Sequence, residues 1–141
     1  MALKLGSNPK EFIKSVEIVL LNEKVDYLNV TFVYRTRKEF AELLDLRKAE
    51  DKAALEKQLD FEKNASEEEK KSQDAKYTVT GMYLDHAKKS AERVLQIAKG
   101  WDMVEPFDVE HLMLVEDEFP GVMQAIENKY QKSIAEARVK N

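Results

Sequence analysis

The chain's 141 residues carry 23 Lys and Arg against 27 Asp and Glu, a formal net charge of −4 at pH 7. A chain of this size fits one domain and buries roughly 68–70% of its unfolded surface, enough for a core without staples. The acidic balance argues against a protein built mainly to grip nucleic acid phosphates or anionic lipid. The absence of Cys removes disulfides, thiolate metal sites and cysteine nucleophiles, and suits a reducing compartment. No apolar run approaches the ~20 residues of a membrane span, and Met1 to Lys10 lacks a signal-peptide core. The expectation is a soluble, cytoplasmic domain.

Residues 1–11, with Gly6, Ser7, Asn8 and Pro9, read as a turn-rich lead-in on the surface. Two β-type runs follow. Val16 to Leu21 is rich in branched side chains. Tyr27 to Arg35 alternates, with Leu28, Val30, Phe32 and Tyr34 on one face and Asn29, Thr31 and Arg35 on the other, so the first set should meet a core. Residues 22–26 have the length of a hairpin loop. A lone hairpin is marginal in water, so helices must cover its apolar face.

Thr36 and Glu39 spell a capping box that starts a helix near residue 37, with Phe40, Leu43, Leu44 and Arg47 at helical spacing. From Arg47 to Lys76 the chain is mostly charged, with 8 cations and 9 anions in 30 residues. Residues 49–63 predict a solvated helix with a thin apolar stripe. Residues 64–76 have almost nothing to bury and predict a mobile loop or fraying helix end.

A further helix is expected from about Met82 to Lys99, with Leu84, Ala87, Ala91, Val94, Leu95 and Ala98 inward and Gly100 as its C-terminal cap. Trp101 after that glycine reads as an anchor, either in the core or facing a partner. Asp108 can cap a short helix with Val109, Leu112 and Met113 inward. Pro120 suits the first turn of a final helix whose stripe is Val122, Met123, Ile126, Tyr130, Ile134 and Ala137. The sequence thus predicts an α+β fold, an N-terminal antiparallel β-hairpin packed against four or five α-helices. One domain spans 1–141: hairpin and first helix at 12–48, a charged and partly mobile segment at 49–76, and C-terminal helices at 77–141.

Little in the chain suggests chemistry. His86 and His111 have no metal-ligand spacing, and the four glycines form no phosphate loop. No serine stands in a nucleophile-elbow setting. Glu116, Asp117 and Glu118 read as a solvated helix end. Tyr34 to Lys38 is a compact basic patch, more in keeping with a solvated strand edge than with nucleic acid contact. No catalytic residue, cofactor site or metal site is expected.

The succession Ala98-Lys99-Gly100-Trp101-Asp102, an acidic Phe-containing spacer, a short Leu-rich helix, Phe119-Pro120, and a helix with Ile126 and Tyr130 ending Ala137-Arg138-Val139-Lys140-Asn141 resembles the tail assembly chaperones of long-tailed bacteriophages. Val30 to Arg37 is similar to the strand-to-helix passage of the same family. The resemblance covers residues 12–48 and 77–141. It implies a non-enzymatic factor in the host bacterial cytoplasm, absent from the mature virion. Such a factor binds the tape measure protein, keeps it soluble and promotes recruitment of tail tube subunits. The tube protein is reached in some members through a longer frameshifted form. Several copies on one tape measure, or a homo-oligomer, are implied; nucleic acid and membrane are not. The candidate partner-binding residues are Trp101, as an interface anchor, and Phe119, Val122, Ile126 and Tyr130, because the last helix's stripe is longer than a small hairpin can cover. A structural connector retained in the virion and a small DNA-binding regulator remain as alternatives.

Overall fold

The computed structural model describes residues 4–136. Its elements in chain order are β1 (Glu11–Val19), β2 (Val25–Val33), α1 (Arg37–Asn64), α2 (Glu67–Lys76), α3 (Val79–Ile97), β3 (Ala98–Trp101), α4 (Val109–Glu118) and α5 (Val122–Glu136). The fold is α+β, as the alternation of β2 and the later helical stripes predict. The hairpin is joined by a third strand, giving an antiparallel sheet of order β1-β2-β3.

The residues divide into two compact units. One runs up to residue 35 and resumes at 86; the other is Thr36–Asp85. In the first, β1 and β2 pair from Glu11↔Val33 to Val19↔Val25. The strands sit earlier than expected because the reversal is tight. Leu20 N–H donates to Lys24 O at 2.8 Å and Glu23 N–H to Leu20 O at 2.9 Å. Glu23 takes a φ of 67°, and the Asn22 side chain accepts from Lys24 N–H at 3.1 Å. The start of β1 at Glu11 shortens the expected lead-in, and Lys10 O accepts from Tyr34 N–H.

Leu28, Val30 and Phe32 are buried on the inner face of β2, beside Val16 of β1. The same unit buries Ala87, Ala91, Val94 and Ile97 of α3, Leu112 and Val115 of α4, and Val122, Met123, Ile126, Tyr130 and Ile134 of α5. Tyr130 is the keystone. Its ring lies 5.4 Å from Phe32 and 6.1 Å from Phe12. Its hydroxyl donates to Val33 O at 2.9 Å and accepts from Arg35 at 3.3 Å.

Three expectations change here. α3 ends at Ile97, and Gly100 lies in β3 opposite Thr31 instead of capping a helix. Burying Ala98 against the sheet, paired with Phe32, takes the place of another helical turn. Leu84 and Leu95 are exposed on α3. Pro120 precedes α5 in a turn with Gly121 at φ 95°, rather than standing in the helix's first turn. Ala137 and the basic tail fall outside the described residues.

In the second unit, Thr36 caps α1 with the expected box. Glu39 N–H donates to Thr36 Oγ1 and Thr36 N–H to Glu39 Oε1, each at 3.1 Å. One continuous 28-residue helix replaces the two segments expected, and its buried residues are Leu43 and Arg47. Residues 67–76 form a helix where a loop or fraying end was expected, capped by Ser66 and with no buried residue.

Candidate functional site

The first unit carries a groove of about 770 Å³ between the end of β1 with its turn and the corner joining α4 to α5. Ile18, Leu20, Phe119, Val122 and Ala125 supply its apolar lining. Val19 and Leu21 add apolar surface at the mouth, Val19 at 68% exposure and Leu21 fully exposed. Its charged lining is acidic: Glu17, Asp117 and Glu118.

The α4–α5 wall is fixed by Glu116. One carboxylate oxygen accepts from Gly121 N–H at 2.9 Å and the other from Met123 N–H at 3.1 Å. These are orphan amides at the start of α5, where a negative charge also complements the helix dipole. The corner needs Gly121 because its backbone adopts the left-handed region that L side chains resist. Glu116 therefore has a structural task, whereas Asp117 and Glu118 stay exposed beside the groove, as a solvated helix end would.

The β1 wall is the free edge of the sheet, since among the described residues β1 pairs only with β2. In an antiparallel ladder, alternate residues turn both backbone groups toward the partner. The bonds Leu20 N–H to Lys24 O and Tyr34 N–H to Lys10 O place the even residues of β1 in that role. Glu17 and Val19 consequently aim their N–H and C=O groups outward, along the groove.

The five candidate partner residues divide. Val122, Ile126 and Tyr130 are core side chains, at most 3% exposed, so a partner reaching them must open the fold. Phe119 and Trp101 are half-buried. Phe119 and Val122 meet at the groove. Trp101 belongs elsewhere: it pairs with Val30, donates its indole N–H to Glu105 O at 2.7 Å and packs edge-on to Phe107 at 5.0 Å. The contribution of β1 was missed in the sequence. Val19 and Leu21 are its trace, two branched residues on the outward side of a strand end.

Among the described residues, Asp108 and His111 bear on each other's titration. Asp108 caps α4 by accepting from His111 N–H at 2.9 Å, and His111 Nδ1 lies 2.7 Å from the same oxygen. The His111 amide and then its ring hold the Asp108 carboxyl below its ordinary value. The hydrogen bond that the ring donates to Asp108 raises the imidazole. Among the described residues no three His, Asp or Glu side chains come together as a metal site. No helix among them is long and apolar enough to cross a membrane.

A family model described as phage tail assembly chaperone matches residues 1–141. The chain belongs to the phage tail assembly chaperone family. No curated protein and no solved structure matches it.

Proposed function

We propose that this chaperone acts on the tape measure protein, covering its apolar surface until tail tube subunits assemble around it. The chain-long family match carries the reading, since it implies tail-protein partners. The apolar groove supports it: a long helical client exposes faces that aggregate unless covered, and a small domain with an open apolar cleft is suited to cover them. Work of this kind requires no bond-making, so the protein acts without catalysis. Several copies on one tape measure raise each other's effective concentration, which lets individually weak contacts hold. Tube subunits join through the same complex, with a longer frameshifted form as their docking point where one is made. The place of action is the host bacterial cytoplasm, and the chaperone leaves before the virion is complete.

Co-expression with the tape measure protein of the same tail gene cluster tests the reading. The expected result is a soluble tape measure that co-purifies with the chaperone and precipitates without it. An equally soluble tape measure in both cases overturns the proposal. Recovery of the chain from purified virions would instead favour a connector.

A further inference from the structure

The geometry points to the free edge of β1 at Glu17 and Val19 as a docking strand for an extended protein segment in which apolar residues alternate with lysine or arginine. The inference rests on the chaperone reading for its client, but it commits to a different mode from helix-in-groove capture. Three observations converge. First, Glu17 and Val19 turn their backbone N–H and C=O groups away from β2, and among the described residues no backbone group meets them there. An added strand satisfies such groups with main-chain hydrogen bonds. Natural sheets usually guard an edge of this kind, because it is a template for pairing.

Second, the space beside that edge has an apolar side. Side chains of an added strand alternate between two faces. Those turned inward would meet Phe119 and Ile18. Those turned outward would stand beside Glu17, whose side chain points to the outer face of the sheet along with those of Ser15 and Val19.

Third, the charges specify the alternate residue. Glu17 stands on the outer face where those side chains fall, and the rest of the groove's charged lining, Asp117 and Glu118, is acidic as well, so the field around the edge favours cations. Lys14, on the same strand but beyond the groove, puts a charge on the inner face where the segment's apolar side chains would fall, and so limits it to the Glu17 end. The occupied stretch is short, about four or five residues at roughly 3.4 Å each. A helical client would leave the edge amides unsatisfied.

The test uses the full chain and two synthetic probes, acetyl-Lys-Val-Lys-Val-Lys-Val-amide and acetyl-Glu-Val-Glu-Val-Glu-Val-amide, with amide hydrogen exchange as the readout. The Lys–Val probe should slow exchange at Glu17 and Val19, and the Glu–Val probe should not. Val19→Pro removes the outward N–H without costing a bond to β2. It should keep the melting temperature close to that of the parent and weaken the Lys–Val probe by about tenfold or more. Glu17→Lys combined with Asp117→Lys should reverse the preference between probes, and this arm stands even if the proline variant folds poorly. Unchanged binding in both variants, a probe bound as a helix, or protection confined to other residues overturns the inference. If parent and Val19→Pro solubilise the tape measure equally, the edge inference fails and the chaperone reading stands. If the Lys–Val probe protects the edge while the tape measure stays insoluble with the parent, the edge inference stands and the chaperone reading fails.

Discussion

Asn29 and Asp102, 73 positions apart, hold each other through three hydrogen bonds. Asp102 Oδ1 accepts from Asn29 N–H at 3.1 Å and Oδ2 from the Asn29 side-chain amide at 2.8 Å. Asp102 N–H returns one to Asn29 O at 3.1 Å. Ser15 extends the chain, its hydroxyl donating to Asn29 Oδ1 at 2.5 Å. Together they tie the middle of β2 to the segment leaving β3, across the exposed face of the sheet. Asp102 thus does for β3 what a longer ladder would do, since β3 has only four residues.

Replacing Asp102 with Ala should therefore cost about 1–2 kcal/mol, less than the sum of the bonds because water can take over at an exposed site. Denaturant unfolding measures it. Amide exchange should quicken first at Asn29 and at position 102. A loss spread evenly over the sheet would mean that β3 is held by its apolar contacts alone.

The core of α5 makes a sharper prediction. Ile126 is fully buried, so Ile126→Ala should cost about 2–5 kcal/mol, and Ile126→Asp should unfold the unit by burying an unpaired charge. Tyr130→Phe keeps the packing on Phe12 and Phe32 but strands Val33 O, and should cost about 1–2 kcal/mol. Thermal melts decide. Should Ile126→Asp melt like the parent while client binding disappears, the residue faces a partner and not the core.

What the sequence revealed and what it hid differ in physical kind. The hairpin, the Thr36 box, the Asp108 cap and the α5 stripe were legible because each is written in residues a few positions apart. Strand β3 was not. Ala98-Lys99-Gly100-Trp101 looks like a helix ending on glycine, and only the unpaired edge of β2 makes four residues worth extending. Helix α2 was missed for the opposite reason: Ser66 and the acids of its first turn favour a helix locally, although no residue of it is buried. The groove was hidden because its two walls lie about a hundred residues apart. Glu116 was hidden within a run of three acids, where position relative to Gly121 and Met123, not composition, gives one of them a task.

Glu116 yields the next prediction. Glu116→Ala leaves two amides at the start of α5 without their acceptor and removes a charge that complements the helix dipole, at about 1 kcal/mol. Asp117→Ala, one residue on, should leave melting unchanged. Gly121→Ala should also destabilise, since its φ of 95° strains any Cβ although space around it is open. If Glu116 and Asp117 prove equivalent, the corner is held by packing.

Residues 64–76 should be the first internal segment that a protease cuts. Helix α2 contributes no buried residue, and residues 48–60 of α1 are exposed throughout, so ordering entropy is opposed only by local caps and charge pairs. Limited trypsin digestion, read by mass, should open the chain among Lys63, Lys70, Lys71 and Lys76 before any cut in α5. Slow amide exchange across 67–76 would contradict this.

The last prediction concerns pH. The His111 backbone N–H and then its ring hold the Asp108 carboxyl below its ordinary value, and the ring's hydrogen bond to Asp108 holds the imidazole above its own. The Asp108 contribution is present above the ordinary carboxyl pKa and is lost as pH falls through the depressed one. The His111 contribution is present below the ordinary imidazole pKa and is lost as pH rises through the raised one. The two coincide between about pH 4 and pH 6.5, and there the start of α4 is held by an ion pair as well as a cap. Melting temperatures of the parent and His111→Ala should differ most in that window. The difference should shrink as pH rises through the raised imidazole value, above which the neutral ring keeps a hydrogen bond but no charge, and again as pH falls through the depressed carboxyl value, below which Asp108 is protonated. High salt should narrow the gap inside the window, because the pair is partly exposed. A difference independent of pH would mean that His111 acts through its ring's packing, and that Asp108 caps α4 through the backbone N–H alone.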